Sequence, residues 1–342
     1  QPNDSGKYVL TVSQNGCENK DTIDVLVKPL PTFAISSNSP ICHGDTIKLF
    51  ANTPPIGATF EWSGPNEYVS FQQNPIITPA LPSLSGLYQV TVKVNGCVKT
   101  DTLTYTVFPL PVANAISNSP ICENDTLRLT AQNAGIGATY EWRKLGGNVI
   151  STQATFTQPL AQLADAGKYL LKVSLNGCVN YDTIDVLVKK RPVFTLSSNS
   201  PVCEGDSLRL FVQGAPQGTT FAWSGPKQFL AIDSAVVRTN ASLDMSGVYL
   251  MTTTLGSCSV TDSIRVTVKA RPSVNALSNS PVCEGQQLQL TTTAVNNASY
   301  AWQDPNGAAI GTSPQVTING MQPLQSGKYT VMVTLDGCVQ TD

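Results

Sequence analysis

The same order of residues returns about every 80 positions along this chain: a Ser-Asn-Ser-Pro turn with a cysteine, an apolar-alternating stretch, an aromatic-x-Trp pair, a Gly-x-Tyr element and a turn ending in a second cysteine. Trp62, Trp142, Trp223 and Trp302 mark four repeats. The first cysteines are Cys42, Cys122, Cys203 and Cys283; the second are Cys97, Cys178, Cys258 and Cys338. A chain of 342 residues would otherwise suggest two or three domains, but an internal period overrides that prior. The boundaries read as 1–28 for the end of one unit, then 29–108, 109–189, 190–269 and 270–342, the last cut short in its final strand. Residues 1–28 hold Cys17 without an upstream cysteine, and Asp342 lies four residues past Cys338, so both ends read as cuts in a longer polymer.

Within a unit the hydrophobic period is two, the signature of a strand with one buried face. Ile47 and Leu49, Leu127 and Leu129, Leu208 and Leu210, and Leu288 and Leu290 are each split by Lys, Arg or Gln. Phe60/Trp62, Tyr140/Trp142, Phe221/Trp223 and Tyr300/Trp302 have the same spacing and so share a face. Burying both rings would remove roughly 300 to 500 Å² per unit from water. Asn95-Gly96 stands between two alternating segments, and both positions of such a hairpin turn need positive φ. No segment has a helical period. Short strands at regular spacing predict an all-β chain of antiparallel sandwiches.

Composition excludes several functions. Charged residues are only 13% of the chain, the net charge is −2 and the basic residues are scattered, which is not the footprint of a nucleic-acid binder. No apolar run approaches the length of a membrane-spanning helix. Nine cysteines at fixed places, beside a single histidine, fit an oxidising compartment better than a metal site, and no cofactor is called for.

A Trp on the third strand and a Gly-x-Tyr corner before the sixth, as in Gly86-Leu87-Tyr88 and Gly167-Lys168-Tyr169, resemble the immunoglobulin fold. The cysteines depart from it. Where an antibody domain has Cys two residues after that Tyr, this chain has Val90, Leu171, Met251 and Val331. Cys-Glu-Gly-Asp, the Trp strand and Asn-Gly-Cys are more similar to the tandem immunoglobulin-like repeats of giant Bacteroidetes cell-surface proteins, a family that includes gliding-motility adhesins and other type IX secreted proteins. The resemblance covers the whole chain. It implies tandem immunoglobulin-like domains in an extended rod, an extracellular, cell-surface location and no enzymatic activity. The role implied is that of a stalk or filament segment of an adhesin. The partners implied are neighbouring domains of the same long chain, with other filament chains and surface glycans or polysaccharide as further candidates. The alternatives are repeats that themselves bind carbohydrate or a receptor, and accessory domains of a secreted enzyme.

On that topology two disulfide schemes are open. Pairing inside a repeat, Cys42 with Cys97 and so on, closes loops of about 56 residues. However, the first cysteine would then lie at the pole near the C-terminal end of the domain and the second at the opposite pole. A seven-residue strand spans roughly 23 Å, whereas a disulfide tolerates about 7 Å between Cα atoms. Geometry therefore favours staples between consecutive repeats: Cys42 with Cys178, Cys122 with Cys258 and Cys203 with Cys338. Cys17, Cys97 and Cys283 are left for domains outside the chain. The linkers Pro29-Leu30-Pro31, Pro109-Leu110-Pro111, Arg191-Pro192 and Arg271-Pro272 are stiff in composition.

No repeat acquires a catalytic set that the others lack. His43 sits where other repeats have Glu123, Glu204 and Glu284 and reads as a surface turn residue, while Asp45, Asp125 and Asp206 offer too few oxygens for calcium and Gln286 breaks their pattern. One motif does recur: Asp followed by Thr or Ser and an aliphatic residue. It resembles a Bacteroidetes O-glycosylation sequon, which makes Thr22, Thr46, Thr102, Thr126, Thr183, Ser207, Ser234 and Ser263 candidate acceptors. The same pattern also suits a turn Asp followed by a half-buried strand.

Overall fold

A computed structural model describes residues 2–342. The chain divides into two compact units, Gln1–Val188 and Lys189–Asp342. Among the described residues the only helical segments are three-residue 3-10 turns, and everything else regular is strand.

In the first unit, the repeat bearing Trp62 forms two facing sheets. One has the spatial order Cys97–Tyr105, Gly86–Val94, Thr59–Gly64 and Tyr68–Ser70. The other is Ala34–Ser37, Ile47–Asn52 and Ile76–Ile77. Ile41–Cys42 pairs in parallel with Val107–Phe108, the continuation of the last strand. The repeat bearing Trp142 repeats both main sheets, with Val149–Ser151, Thr139–Lys144, Gly167–Leu175 and Cys178–Val186 in one, and Ala115–Ser117, Leu127–Ala131 and Thr155–Gln158 in the other. This is the strand order of an immunoglobulin-like sandwich, and the chain carries such sandwiches in tandem. In the second unit the repeats bearing Trp223 and Trp302 follow the same plan.

Each sandwich has its own core. Ile47, Leu49 and Trp62 are buried with Tyr88, Val90 and Val92, and the corresponding residues of the other repeats form three equivalent clusters. The second ring of the pair is buried in the fourth repeat, at Tyr300, but Phe60, Tyr140 and Phe221 are only half-buried. The Tyr140 hydroxyl accepts from the N–H of Ala134 at 3.1 Å and so ties down a loop.

The recurring motifs have identifiable work. Asn38 of the Ser-Asn-Ser-Pro turn donates to Thr46 O and accepts from Lys48 N, and Asn118, Asn199 and Asn279 make the same two bonds. The turn thereby locks the first strand to the second. In each Gly-x-Tyr corner the hydroxyl donates to the carbonyl four residues back, Tyr88 to Leu84 at 3.0 Å and Tyr249 to Met245 at 3.1 Å. Gly86 sits at φ +148°, and a Cβ there would lie 2.8 Å from Pro65, so both conformation and space require glycine. The Asn95-Gly96 turn has positive φ at both positions and joins strands paired from Val94↔Cys97 to Gly86↔Tyr105.

Residues 1–28 contribute a two-stranded hairpin, Gly6–Gln14 with Cys17–Val25, in which every residue is exposed. It retains the corner bond, Tyr8 hydroxyl to Asp4 O at 2.9 Å.

Candidate functional site

The chain's chemistry is concentrated where one repeat meets the next. In the first unit the turn bearing Cys42 is fixed to the end of its own sandwich: Ile41 N bonds Thr106 O, His43 N bonds Phe108 O, and Cys42 N bonds the Asp45 carboxylate at 3.0 Å. These bonds hold Cys42 beside Phe108, the residue before the Pro109-Leu110-Pro111 linker. On the far side of that linker, Cys178 opens the last strand of the next repeat, and Asn180 donates to Pro111 O at 3.0 Å. Cys42 and Cys178 form a disulfide with Cα atoms 5.6 Å apart, inside the ordinary range. The bond joins positions 136 residues apart in the chain.

The second unit builds the same junction with different linker chemistry. Val202–Cys203 pairs in parallel with Val268–Lys269, and Cys203 is bonded to Cys338 at a Cα separation of 5.6 Å. Here the residue before the linker proline is Arg271. Its guanidinium donates to Glu204 O at 2.6 Å and to the Asp206 carboxylate at 2.6 Å on one repeat, and to Val339 O on the other. One side chain thus spans the staple. Lys269 adds a bond to Asp336 O at 2.8 Å. Sequence reading treated these linkers as stiff because of proline alone and missed the arginine. The available signal was its return at Arg191 and Arg271, where the other two linkers have Leu30 and Leu110.

Cys122, in the first unit, and Cys258, in the second, are each oxidised in a disulfide. Cys17 and Cys283 are free and exposed, and Cys97 is free and half-buried. Cys97 Sγ lies 3.8 Å from Lys28 O, 69 residues away, and the bonded Cys258 lies 4.0 Å from Lys189 O across the same interval. Cys97 therefore occupies the seat of a junction cysteine.

The candidate glycan acceptors fall into two groups. Thr22, Thr102, Thr183 and Ser263 lie on final strands with exposed side chains, and Ser234 is exposed just before a strand. Thr46, Thr126 and Ser207 are half-buried in the turn after the first cysteine. The preceding aspartates have structural roles. On the final strands Asp101, Asp182 and Asp262 each accept the N–H of the next residue, at 2.9, 2.8 and 2.7 Å, satisfying a donor on an edge strand. Asp182 also takes Ala115 N at 2.7 Å and so ties the edges of two sheets. In the turns, Asp45, Asp125 and Asp206 accept the N–H of the cysteine. His43, Glu204 and Glu284 are exposed, and Glu123 is half-buried.

Residues 109–192 match the family model described as an Ig-like domain, CHU_C associated. The stretch is the second repeat with the start of its C-terminal linker. None of the curated proteins compared with the chain matches it. Among solved structures, the I-band fragment I67–I69 of titin is similar over 71% of this chain and 100% of its own, at 14% identity and a TM-score of 0.44. The N-terminal eight immunoglobulin domains of Down syndrome cell adhesion molecule cover 100% of this chain, which spans 58% of theirs, at 14% identity and a TM-score of 0.37. Murine CEACAM1b is similar over 46% of this chain and 100% of its own, at 14% identity and a TM-score of 0.30.

Proposed function

We propose that this chain is a load-bearing segment of a large bacterial cell-surface adhesin, a stalk or filament piece whose function is mechanical coupling of successive domains. It acts outside the cell and without catalysis. The observation that carries the reading is the placement of the disulfides Cys42–Cys178 and Cys203–Cys338, which link consecutive repeats rather than the strands of one repeat. A bond inside a sandwich protects that sandwich. A bond between sandwiches leaves each fold as it was and removes the freedom of the joint, which is useful where force passes along the chain. The reading extends the same staple rule to every junction. Non-reducing peptide mapping of the oxidised protein tests it: a linked peptide pairing Cys42 with Cys97, or Cys122 with Cys178, overturns the scheme.

The same reading makes Thr22, Thr102, Thr183 and Ser263 sites of O-linked sugar, supported by their exposure on edge strands of a surface poor in charge. Glycans there would keep edges from pairing with other chains. An intact mass of protein from its native source equal to the bare sequence removes this part of the proposal.

A further inference from the structure

The outward face of one sandwich breaks the repeat. On the four-stranded sheet of the repeat bearing Trp142, Glu141, Lys172 and Tyr181 stand opposite one another on three neighbouring strands. Arg143 lies two residues along from Glu141 and so shares its face. The same row is Glu61, Thr91 and Thr100 in the first repeat, Ala222, Thr252 and Thr261 in the third, and Ala301, Met332 and Thr341 in the fourth. The seat of Arg143 holds Ser63, Ser224 and Gln303. A solvent face of this sheet is thus served by small and polar residues, and the fold does not ask for the charged and aromatic set.

The set forms a small platform. Tyr181 is 57% exposed, and with strands about 4.8 Å apart the row from Tyr181 to Glu141 covers about 10 Å, the length of two sugar rings. The Glu141 carboxylate accepts from Arg143 and lies 3.8 Å from the Lys172 ammonium, so two cations face one carboxylate. The Lys168–Asp185 pair on the same face is balanced in itself at 3.1 Å. Arg143 Nε is buried without a partner, which a network built for stability alone would avoid. The adjacent Trp142 indole N–H is buried and unpaired too, whereas Trp62, Trp223 and Trp302 donate to Gln73 O, Asp233 O and Ser313 O at 3.2, 3.1 and 3.1 Å. The strand that carries Glu141 and Arg143 therefore forgoes stability where the face departs from the other repeats.

We propose that this face binds a uronate-bearing polysaccharide. Tyr181 presents its ring to the C–H face of one sugar, while Lys172 and Arg143 take the carboxylate of the next. Arg143 holds that carboxylate through two N–H groups of its fork, one of them the Nε–H that Glu141 leaves unused. Glu141 then accepts from sugar hydroxyls. The excess of one positive charge selects an acidic ligand over a neutral one. A single exposed ring in a polar row of about 10 Å suits a sugar chain. A protein partner would need roughly 800 Å² of interface around an apolar core. This inference does not depend on the stalk reading.

The test titrates polygalacturonate, its methyl ester and polyglutamate into the full oxidised chain by calorimetry at low salt. Polygalacturonate should bind, and the ester, which keeps the sugars and loses the charge, should bind about tenfold more weakly. Tyr181→Thr, Lys172→Thr and Arg143→Ser install residues that the same seats hold in the third repeat, so each suits the sandwich. Tyr181→Thr should weaken polygalacturonate binding about tenfold, while Tyr181→Phe, which keeps the ring, retains it. Arg143→Ser and Lys172→Thr should each bring the acid toward the affinity of the ester. A chain that does not bind polygalacturonate overturns the proposal. So does an ester that binds as tightly as the acid, or an affinity unchanged by Tyr181→Thr. Polyglutamate binding as tightly as polygalacturonate also overturns it, by assigning the face to charge alone or to an acidic peptide.

Discussion

The two stapled junctions share their covalent bond and differ in what surrounds it. Around Cys42–Cys178 the linker is Pro109-Leu110-Pro111, Leu110 is 41% exposed, and the linker's polar tie is the Asn180–Pro111 bond within one repeat. Around Cys203–Cys338 the linker is Ala270-Arg271-Pro272, and Arg271 holds carbonyls of both repeats together with the Asp206 carboxylate. The disulfide is therefore the constant of the joint. The arginine is an addition that acts across the same gap without a covalent bond. The comparison separates two routes to a stiff joint, one dependent on an oxidising environment and one dependent on ionic strength.

Removing the staples gives the largest effect. Cys42→Ser with Cys178→Ser, and Cys203→Ser with Cys338→Ser, each open a closure of more than 130 residues. Each should lower the stability of its unit by about 2 to 4 kcal/mol in urea unfolding. Hydrogen exchange resolves the joints separately. Protection of the His43 N–H, which bonds Phe108 O beside the 109–111 joint, should fall, while that of the Glu204 N–H, which bonds Lys269 O beside the joint held by Arg271, should fall less. Equal loss at both joints would remove Arg271 from the account.

Alkali distinguishes the units next. Tyr105 is 1% exposed and donates to Asn38 at 2.6 Å, in a seat filled by Val186 in the second repeat and Val266 in the third. Burial pushes its hydroxyl up to about 12. The unfolded chain releases that proton near 10, so between the two values unfolding releases a proton and stability falls as pH rises, by about 1.4 kcal/mol per pH unit. Below pH 10 this group has no effect. The first repeat should unfold earliest in an alkaline titration followed by fluorescence, and Tyr105→Val should remove its excess sensitivity while leaving the corner tyrosines.

Arg271→Leu is a smaller change. The Arg271–Asp206 pair is partly solvated, with 34% and 47% of the side chains exposed, so screening limits its worth. About 1 kcal/mol should be lost at low salt and less at 1 M salt, read as a urea midpoint. A loss independent of salt would assign the effect to packing of the arginine stem instead.

The fold was legible because its signals are local. Period-two stretches, the Trp strand and the Gly-x-Tyr corner each depend on neighbours within a few residues, and Trp62, Tyr88 and Gly86 sit where those patterns require. The cysteine positions were legible at one remove, since strand length fixes the pole at which each lies. The clamp was not, because Arg271 reaches acceptors 65 and 67 residues away and nothing nearby marks it. The Asp-Thr/Ser motif was readable as a pattern but not as a structure. Asp182 proves to serve an edge strand's own N–H and Ala115 N, contacts that sequence spacing does not contain.

Transplanting the clamp gives the smallest and most diagnostic effect. Leu110→Arg places a guanidinium opposite the His43-Gly44-Asp45 turn, which bears the Asp45 carboxylate at the position of Asp206. A gain of about 0.5 kcal/mol is expected, since an exposed pair of this kind rarely exceeds 1. It should be measurable by urea unfolding only in the Cys42→Ser, Cys178→Ser background, where the joint is free to move. The neighbouring residue decides whether the graft takes. Pro109 fixes φ and removes a rotation that Ala270 retains, so Leu110→Arg alone should recover part of the gain and Pro109→Ala with Leu110→Arg the rest. If the double change gains nothing while Arg271→Leu still weakens the other joint, the clamp depends on Glu204 O and Val339 O rather than on its carboxylate.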